Sequence, residues 1–175
     1  MRRVVTGNDA TGASVFVSDE EVEPVTVARL PGASFVKAWG SDEPVVLPTD
    51  GSSPPVADYL PPAGGFRFDL VTLPPAGTEA PADLDPAAAQ AEMEAKLPGL
   101  AKLMEPDHPG MHTTDTVDFD VVISGEVWLE VDDGKRVLLR AGDCVVLNGT
   151  RHAWANESDQ PCVMVSVLIG AERNS

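Results

Sequence analysis

The sequence predicts an all-β domain folded as a barrel or a sandwich. Short runs rich in valine, isoleucine and threonine recur along the chain, and tight-turn signals separate them. The 15 glycines and 16 prolines favour strands and turns over long helices. Of the 175 residues, 43% are hydrophobic, which suits one core, and no second domain is visible. We therefore expect a single domain over residues 1–175, with N-terminal strands and a helix in 1–109 and the barrel core in 110–170.

The N-terminal half contains five candidate strands and one long polar segment. The strands are expected at residues 2–6, 14–18, 25–30, 34–39 and 66–73. Residues 47–65 are heavy in proline, glycine, serine and aspartate. A segment of this length without regular structure either wraps around the surface or stays mobile.

One helix is expected between the two groups of strands. Asp85 suits the N-cap position, Pro86 suits the first turn, and residues 87–97 are rich in alanine, glutamate, methionine and lysine. Pro98 and Gly99 then break the helix. It either covers one mouth of the barrel or lies on the surface as a peripheral element, and the sequence leaves both interpretations open.

The C-terminal half reads as strands and turns throughout. Strands are expected at residues 117–124, 126–131, 135–140, 144–147, 151–156 and 162–169. Turn signals lie between them, at residues 132–134, 141–143 and 148–149.

The acidic balance of the chain argues against two classes of partner. Twelve Lys and Arg residues face 28 Asp and Glu residues, a formal net charge of −16. This charge repels phosphate backbones and anionic lipid, so we expect no nucleic-acid binding and no membrane attachment. The chain start lacks the apolar region of a signal peptide. Cys144 and Cys162 lie in apolar runs and are expected as buried thiols in a reducing compartment, so the expected location is the cytoplasm.

The first set of motif residues opens the C-terminal half. His112 is followed two residues later by Thr114, then after three residues by Asp118, and after six more by Gly125. This spacing resembles the first motif of the cupin family, which runs His-x-His, three or four residues, Glu, six residues, Gly. Thr114 stands where the family has its second histidine, and Asp118 stands where it has glutamate. Gly110 lies too close to His112 to match the glycine that opens the family's motif.

The second set lies about thirty residues further on. Gly142 is followed by five residues, then by Asn148 and Gly149, then after two residues by His152, and after three more by Asn156. The family's second motif runs Gly, five residues, Pro-x-Gly, two residues, His, three residues, Asn. Here the asparagine and glycine stand in place of Pro-x-Gly, one residue shorter.

The resemblance covers residues 110–170 and implies a cupin-type double-stranded β-helix, a jelly-roll barrel, with N-terminal strands and one short helix. Cupins host dioxygenases, decarboxylases, isomerases, storage proteins and sugar-binding regulators on this barrel, so the resemblance implies a fold and not a reaction. Of the family's four metal-ligand positions, two keep histidine, at His112 and His152, and a third holds Asp118. The resemblance therefore implies a metal site formed by these three residues.

The chemistry of this donor set agrees with a metal site. Two imidazoles and one carboxylate can hold an Fe(II) ion and leave coordination positions free, and Zn(II), Ni(II) or Mn(II) suit similar donors. Thr114 would leave room beside the ion, and Trp154, on the same face as His152, is expected to line the pocket. The alternative is two ordinary strand histidines with Asp118 hydrogen-bonded between them.

A metal-bound imidazole usually donates from its second nitrogen to a fixed acceptor. The candidates for that acceptor in this sequence are Asp115, Thr114 and Asn156.

Strand parity separates a polar face from an apolar one. Residues two apart share a face, so the even-numbered His112, Thr114 and Asp118 can point the same way. The odd-numbered positions on the opposite face are strongly apolar: Val117, Phe119, Val121 and Ile123. If the polar face points inward, the apolar face needs a cover, and we expect a homodimer with some exchange of N-terminal segments. The opposite orientation, with the apolar face in the core, would destroy the site.

These observations lead to one preferred function and one alternative. The preferred function is a metal-dependent cupin with oxygenase-like or decarboxylase-like chemistry on an aromatic compound or a keto acid. The alternative is a metal-free or non-catalytic cupin that binds a small ligand. His108 lies in an expected loop and is a weak candidate for a catalytic role.

Overall fold

The computed structural model describes residues 1–174, which form ten strands and two helices. In chain order these elements are β1 (Arg2–Asn8), β2 (Ser14–Glu21), β3 (Ser34–Ser41), β4 (Phe66–Leu73), α1 (Pro86–Lys96), α2 (Leu100–Leu103), β5 (Thr116–Ser124), β6 (Glu126–Glu130), β7 (Arg136–Arg140), β8 (Cys144–Asn148), β9 (Ala153–Ala155) and β10 (Cys162–Gly170). The expected all-β architecture with one regular helix is confirmed.

Two antiparallel sheets build the barrel. The larger sheet has the strand order β3-β4-β10-β5-β8 and the smaller one has the order β7-β6-β9, while β1 and β2 form a separate hairpin. Apolar side chains from both sheets meet in one core cluster, which contains Val122, Val127, Leu129, Leu139, Leu147, Cys162 and Met164. The result is a jelly-roll barrel, as the resemblance to cupins implied.

The barrel draws on more of the chain than residues 110–170. Strand β10 pairs along its full length with β4 on one side and with β5 on the other, and β3 continues the sheet beyond β4. The expected strand at residues 25–30 does not form. Val25 makes only an isolated bridge to Phe35, and the chain then turns so that the Leu30 amide donates to the Val27 carbonyl.

The helices cover one side of the barrel, which decides between the two interpretations of their position. Asp85 caps α1 by accepting hydrogen bonds from the amides of Ala87 and Ala88, at 2.9 and 3.3 Å. Met93 on the buried face of α1 and Leu97, the residue that follows the helix, join the core cluster that surrounds Phe35 and Tyr59. Both helices are far too short to cross a membrane, and no helix among residues 1–174 could do so.

Residues 47–65 wrap the surface and are held by a buried arginine, Arg67. Its guanidinium donates to the Asp58 carbonyl at 2.9 Å and to the Tyr59 carbonyl at 3.2 Å. It also donates to the Ser41 carbonyl at 3.0 Å and pairs with the Asp42 carboxylate at 2.5 Å. Because Arg67 itself is 3% exposed, the bonds to Asp58 and Tyr59 attach the end of this segment to the barrel.

The larger sheet has a polar inner face and an apolar outer face. On β5 the even-numbered Asp118 and Asp120 are buried, whereas Phe119 is 43% exposed and Ile123 is 54% exposed. Other exposed apolar residues on the strands of this sheet are Phe68, Val146 and Ile169. The polar face therefore points inward, which rules out the opposite orientation.

The β1–β2 hairpin does not cover that outer face. It approaches the opposite edge of the sheet, where Arg3 donates to the Ala38 carbonyl at 3.0 Å and stacks over the Trp39 ring. Several of its own apolar residues stay exposed, among them Phe16 at 79%. An isolated hairpin exposed on both faces is only marginally stable in water, so the hairpin as well as the sheet face lacks a cover.

Candidate functional site

A cavity of about 750 Å³ opens between the two sheets and the helices. One wall is apolar and comes from the helical cover and β3, through Phe35, Leu100, Leu103 and Met104. The floor is polar and contains His112, Thr114, Asp118, Asp120, His152 and Ser166. All five residues that the sequence analysis assigned to the metal site or to the pocket, including Trp154, line this cavity. Its size suits a small organic molecule.

His112 and His152 lie directly opposite each other. Each backbone amide donates to the carbonyl of the other residue, at 2.9 Å in both directions. This pairing brings the two imidazole rings to a centroid distance of 4.3 Å. The His152 ring packs in turn against the edge of Trp154, with the centroids 5.9 Å apart, and His152 is only 2% exposed. Two histidines forty positions apart in the chain thus form one rigid pair.

The hydrogen bonds of the rings fix which nitrogen carries the proton. Nδ1 of His112 lies 2.9 Å from the Gly110 carbonyl, and Nδ1 of His152 lies 2.9 Å from the Thr150 carbonyl. A carbonyl oxygen only accepts, so both Nδ1 atoms donate, and the Nε2 atoms of the neutral rings keep free lone pairs. Burial lowers the pKa of both histidines, which favours this neutral form.

The expectation that a side chain accepts the hydrogen bond from each imidazole ring was wrong. Asp115 pairs instead with Arg173, and the side chain of Asn156 donates to the Gln160 carbonyl. The actual acceptors are main-chain carbonyls two residues before each histidine. Side-chain patterns carry no sign of a main-chain partner, so the sequence could not reveal them.

Asp118 lies beside the histidine pair with an unused oxygen. The residue is 5% exposed, and its Oδ1 atom makes no hydrogen bond of regular geometry. The same is true of the hydroxyl oxygens of Thr114 and Thr116, which lie nearby. Burial raises the pKa of Asp118, while the hydroxyls of Thr116 and Thr114 and the His112 ring oppose the shift. These hydroxyls are within reach of the carboxylate without forming a regular hydrogen bond, so this corner of the cavity has room for a bound cation or a stronger hydrogen-bond donor.

The three predicted ligands are not assembled around one point. Within residues 1–174, no group of three or more His, Cys, Asp or Glu side chains is placed to hold a metal ion. The individual donors nevertheless have the chemistry that a metal needs, with two free imidazole nitrogens and an unpartnered carboxylate oxygen on the same cavity floor. Joint coordination by these groups requires a rearrangement of side chains.

Two arginines hold the segments that carry the histidines. Arg151 binds Glu105 through two hydrogen bonds of 2.7 Å, which ties the end of the helical cover to the strand that carries His152. Arg173 donates to the carbonyls of Thr114 and Gly149, at 2.7 and 3.0 Å. These ties make the floor a rigid frame.

The sequence analysis missed Asp120 and Ser166. They face each other across the pairing of β5 with β10, and both line the cavity at 6% and 7% exposure. Burial raises the pKa of Asp120 to about 6, and the Ser166 hydroxyl opposes the shift. The parity argument could have found Asp120, because it shares the even-numbered face of Asp118. Ser166 could not be found, since its position depends on the register between distant strands.

Two further expectations concern residues outside the cavity. His108 is exposed and does not line the cavity. Cys162 is fully buried, but Cys144 is exposed at the start of β8, so the expectation of two buried thiols was wrong for Cys144. Its strand forms the edge of the larger sheet, where an apolar pattern does not guarantee burial.

Comparisons with known proteins identify the family. A family model described as a cupin domain matches residues 102–168. This part of the chain is a cupin domain. Protein J of the oryzines biosynthesis cluster of Aspergillus oryzae is 48% identical over 67 residues, which cover 35% of this chain and 37% of that protein. Phomopsin biosynthesis cluster protein D of Diaporthe leptostromiformis is 42% identical over 67 residues, 35% of each chain.

These matches cover about a third of this chain and about a third of the length of the two fungal relatives. Among solved structures, the cupin domain of Schizosaccharomyces pombe Cnp3 aligns with a TM-score of 0.50, covering 97% of this chain and 87% of that one. With 9% identical residues, this likeness concerns the fold alone.

Proposed function

We propose that this cupin domain binds a small organic molecule in its cavity and acts on it with the help of a divalent metal ion. The observation that carries the proposal is the pair of neutral imidazoles, His112 and His152, with free Nε2 atoms beside the unpartnered oxygen of Asp118. These three residues would hold the ion. Fe, Zn, Ni and Mn all suit the donor set.

The chain's own residues position the ligand and control water. The apolar wall at Phe35, Leu100 and Leu103 would take the carbon skeleton, and Trp154 shields one side of the histidine pair. Once bound, the metal would supply Lewis-acid chemistry or oxygen activation, as in oxygenase-like and decarboxylase-like cupins. Of the two substrate classes suggested by the sequence, an aromatic compound fits the apolar wall better than a keto acid.

The relatives support a role in small-molecule chemistry. Two of them are described as proteins of biosynthesis clusters, for oryzines and for phomopsin. Because the matches cover about a third of those proteins, they support the type of ligand and not a particular reaction.

Metal analysis tests the proposal. The protein is purified without added metal, and bound metals are quantified by mass spectrometry. We expect close to one equivalent of a transition metal, lost in His152→Ala and in His112→Ala. His108→Ala is the matched control, because His108 is exposed and lies outside the cavity. A folded wild-type protein that binds none of the four metals, even when each is added, would contradict metal dependence.

A metal-free binding cupin is the second candidate. It is favoured by one observation, that no group of three or more potential ligands among residues 1–174 is placed to hold an ion. In this case the free Nε2 atoms and the Asp118 oxygen would accept hydrogen bonds directly from the ligand. Ligand binding by protein that contains no metal would support this candidate.

We also propose that the domain forms a homodimer in the cytoplasm. The support is the exposed apolar face around Phe119 and Ile123, together with a hairpin that exposes Phe16. A face of this kind is unusual on a soluble monomer, and a second copy of the chain would cover it. The exposed thiol of Cys144 suits a reducing compartment.

A further inference from the structure

We infer that the ligand of this cavity carries a protonated amine, which binds at Asp120 and Ser166, next to an apolar body. This inference rests on the proposed function and names its ligand class. It starts from the charges and hydrogen-bonding groups that line the cavity.

The side chains of the cavity floor include hydrogen-bond acceptors but no positively charged group. The charged residues that line the cavity are Arg29, Glu105, Asp118 and Asp120. Arg29 is exposed and donates to the Gln90 side chain, so it lies at the rim and not on the floor. The floor therefore contains two carboxyl groups and no basic side chain, in addition to two imidazole nitrogens that accept. A ligand that donates hydrogen bonds and carries positive charge matches this set.

Asp120 and Ser166 form the part of the floor that the metal proposal does not use. They are opposed in the register between β5 and β10, so their side chains rise next to each other from the inner face. Asp120 lies two residues beyond Asp118 on the same face, about 7 Å further along the strand. A group bound at Asp120 can therefore lie beside whatever His112 and His152 hold without displacing it.

The apolar part of the cavity lining determines the rest of the ligand. Leu100, Leu103 and Met104 of the helical cover form most of this apolar part, and Phe35 adds to it from β3, the edge strand of the larger sheet. A molecule that spans the cavity therefore needs an apolar body at one end and the donor group at the other. A carboxylate at the donor end would face Asp118 and Asp120 with no basic residue to offset the repulsion.

A matched probe series tests the inference on the protein as purified. The probes are naphthylmethylamine, naphthylmethanol and naphthoic acid, which share one apolar body and differ in the head group. Isothermal titration calorimetry at neutral pH measures the three dissociation constants. We expect the amine to bind at least about tenfold more tightly than the acid, with the alcohol between them.

Two variants locate the preference within the cavity. Asp120→Asn keeps the shape and removes the charge, and we expect it to reduce the preference for the amine by about tenfold. Asp133→Asn is the control, because it removes the same charge at an exposed turn outside the cavity, and the preference should stay unchanged. Circular dichroism checks that both variants are folded.

The possible failures separate this inference from the proposed function. If the probes bind but the acid binds as well as the amine, or if Asp120→Asn leaves the preference unchanged, the amine inference is overturned and small-molecule binding stands. If none of the probes binds, the proposed function itself is contradicted, and the inference falls with it.

Discussion

Replacing Arg67 with methionine should destabilise the protein strongly. The five N–H groups of the guanidinium share seven hydrogen-bonding contacts, which reach five main-chain carbonyls and the Asp42 carboxylate. Methionine fills similar space but leaves these acceptors without their donor. Water can reach some of them, because Asp42 is 26% exposed at its side chain, so the cost is less than the sum of seven bonds. By comparison with other broken buried ion pairs, we expect a loss of about 3–5 kcal/mol in the free energy of unfolding.

Urea unfolding followed by tryptophan fluorescence measures this loss. For a domain of this size, each kcal/mol shifts the melting temperature by about 2–4 °C, so thermal unfolding should begin well below the wild-type value. Limited proteolysis should also cut within residues 47–65 first, since that segment loses its anchor. Arg67→Lys should also lose most of this stability, because an ammonium group cannot make the several directed hydrogen bonds of the planar guanidinium group.

Arg140→Met is the matched control for this experiment. Arg140 pairs with Glu126 at 3.4 Å, but its side chain is 65% exposed, and exposed pairs contribute only about 0–1 kcal/mol. If the free energies of unfolding of Arg67→Met and Arg140→Met differ by less than about 1 kcal/mol, Arg67 does not hold residues 47–65 and the reasoning is wrong.

Three further predictions concern pH, thiol reactivity and assembly. Burial raises the pKa of Asp69 to about 7, against the opposing charges of Lys37 and Arg67. The folded state thus keeps on Asp69 a proton that the unfolded state releases, so Asp69 makes stability fall as the pH rises from about 4 towards about 7. Asp69→Asn should remove the part of the fall in stability that Asp69 causes and gain on the order of 2–4 kcal/mol over wild type at slightly basic pH, measured by urea unfolding across the pH range. The part caused by Asp118 and Asp120, whose pKa values burial also raises, should remain. Parallel pH profiles for the two proteins would contradict the assignment. Ellman's reagent should titrate only Cys144 in the native protein, because Cys162 is fully buried and its pKa is raised to about 11; two fast-reacting thiols would show that the core is open. Phe119→Lys should convert a dimer into a monomer by light scattering, and an unchanged mass would remove the outer face as the interface.

Local sequence patterns correctly predicted those strands and helix ends that depend only on neighbouring residues. The strand at 66–73 has the observed bounds of β4, and Asp85 is the observed cap of α1. Parity on β5 also assigned the inner and outer faces correctly, because alternation is a property of the strand itself. The two motifs placed His112 and His152 on the same cavity floor.

Features that depend on distant pairing could not be predicted in the same way. The inclusion of β3 and β4 in the barrel follows from the pairing of β4 with the far C-terminal β10, which no local pattern encodes, and β3 joins the sheet through β4. Ser166 enters the cavity for the same reason. The strand expected at 25–30 failed because an apolar run can also pack as irregular chain, as Val27 does against the helical cover.

The short bridge that links the helical cover to the histidine pair restricts how the cavity can open. Met104 pairs with His112, and His112 pairs with His152, so the three residues form one continuous ladder. Any swing of the cover that included Met104 would break or strain its bridge to His112. A lid motion that admits a ligand and keeps the site intact must therefore pivot earlier in the chain. Gly99, with its left-handed backbone between α1 and α2, is the natural hinge for such a motion.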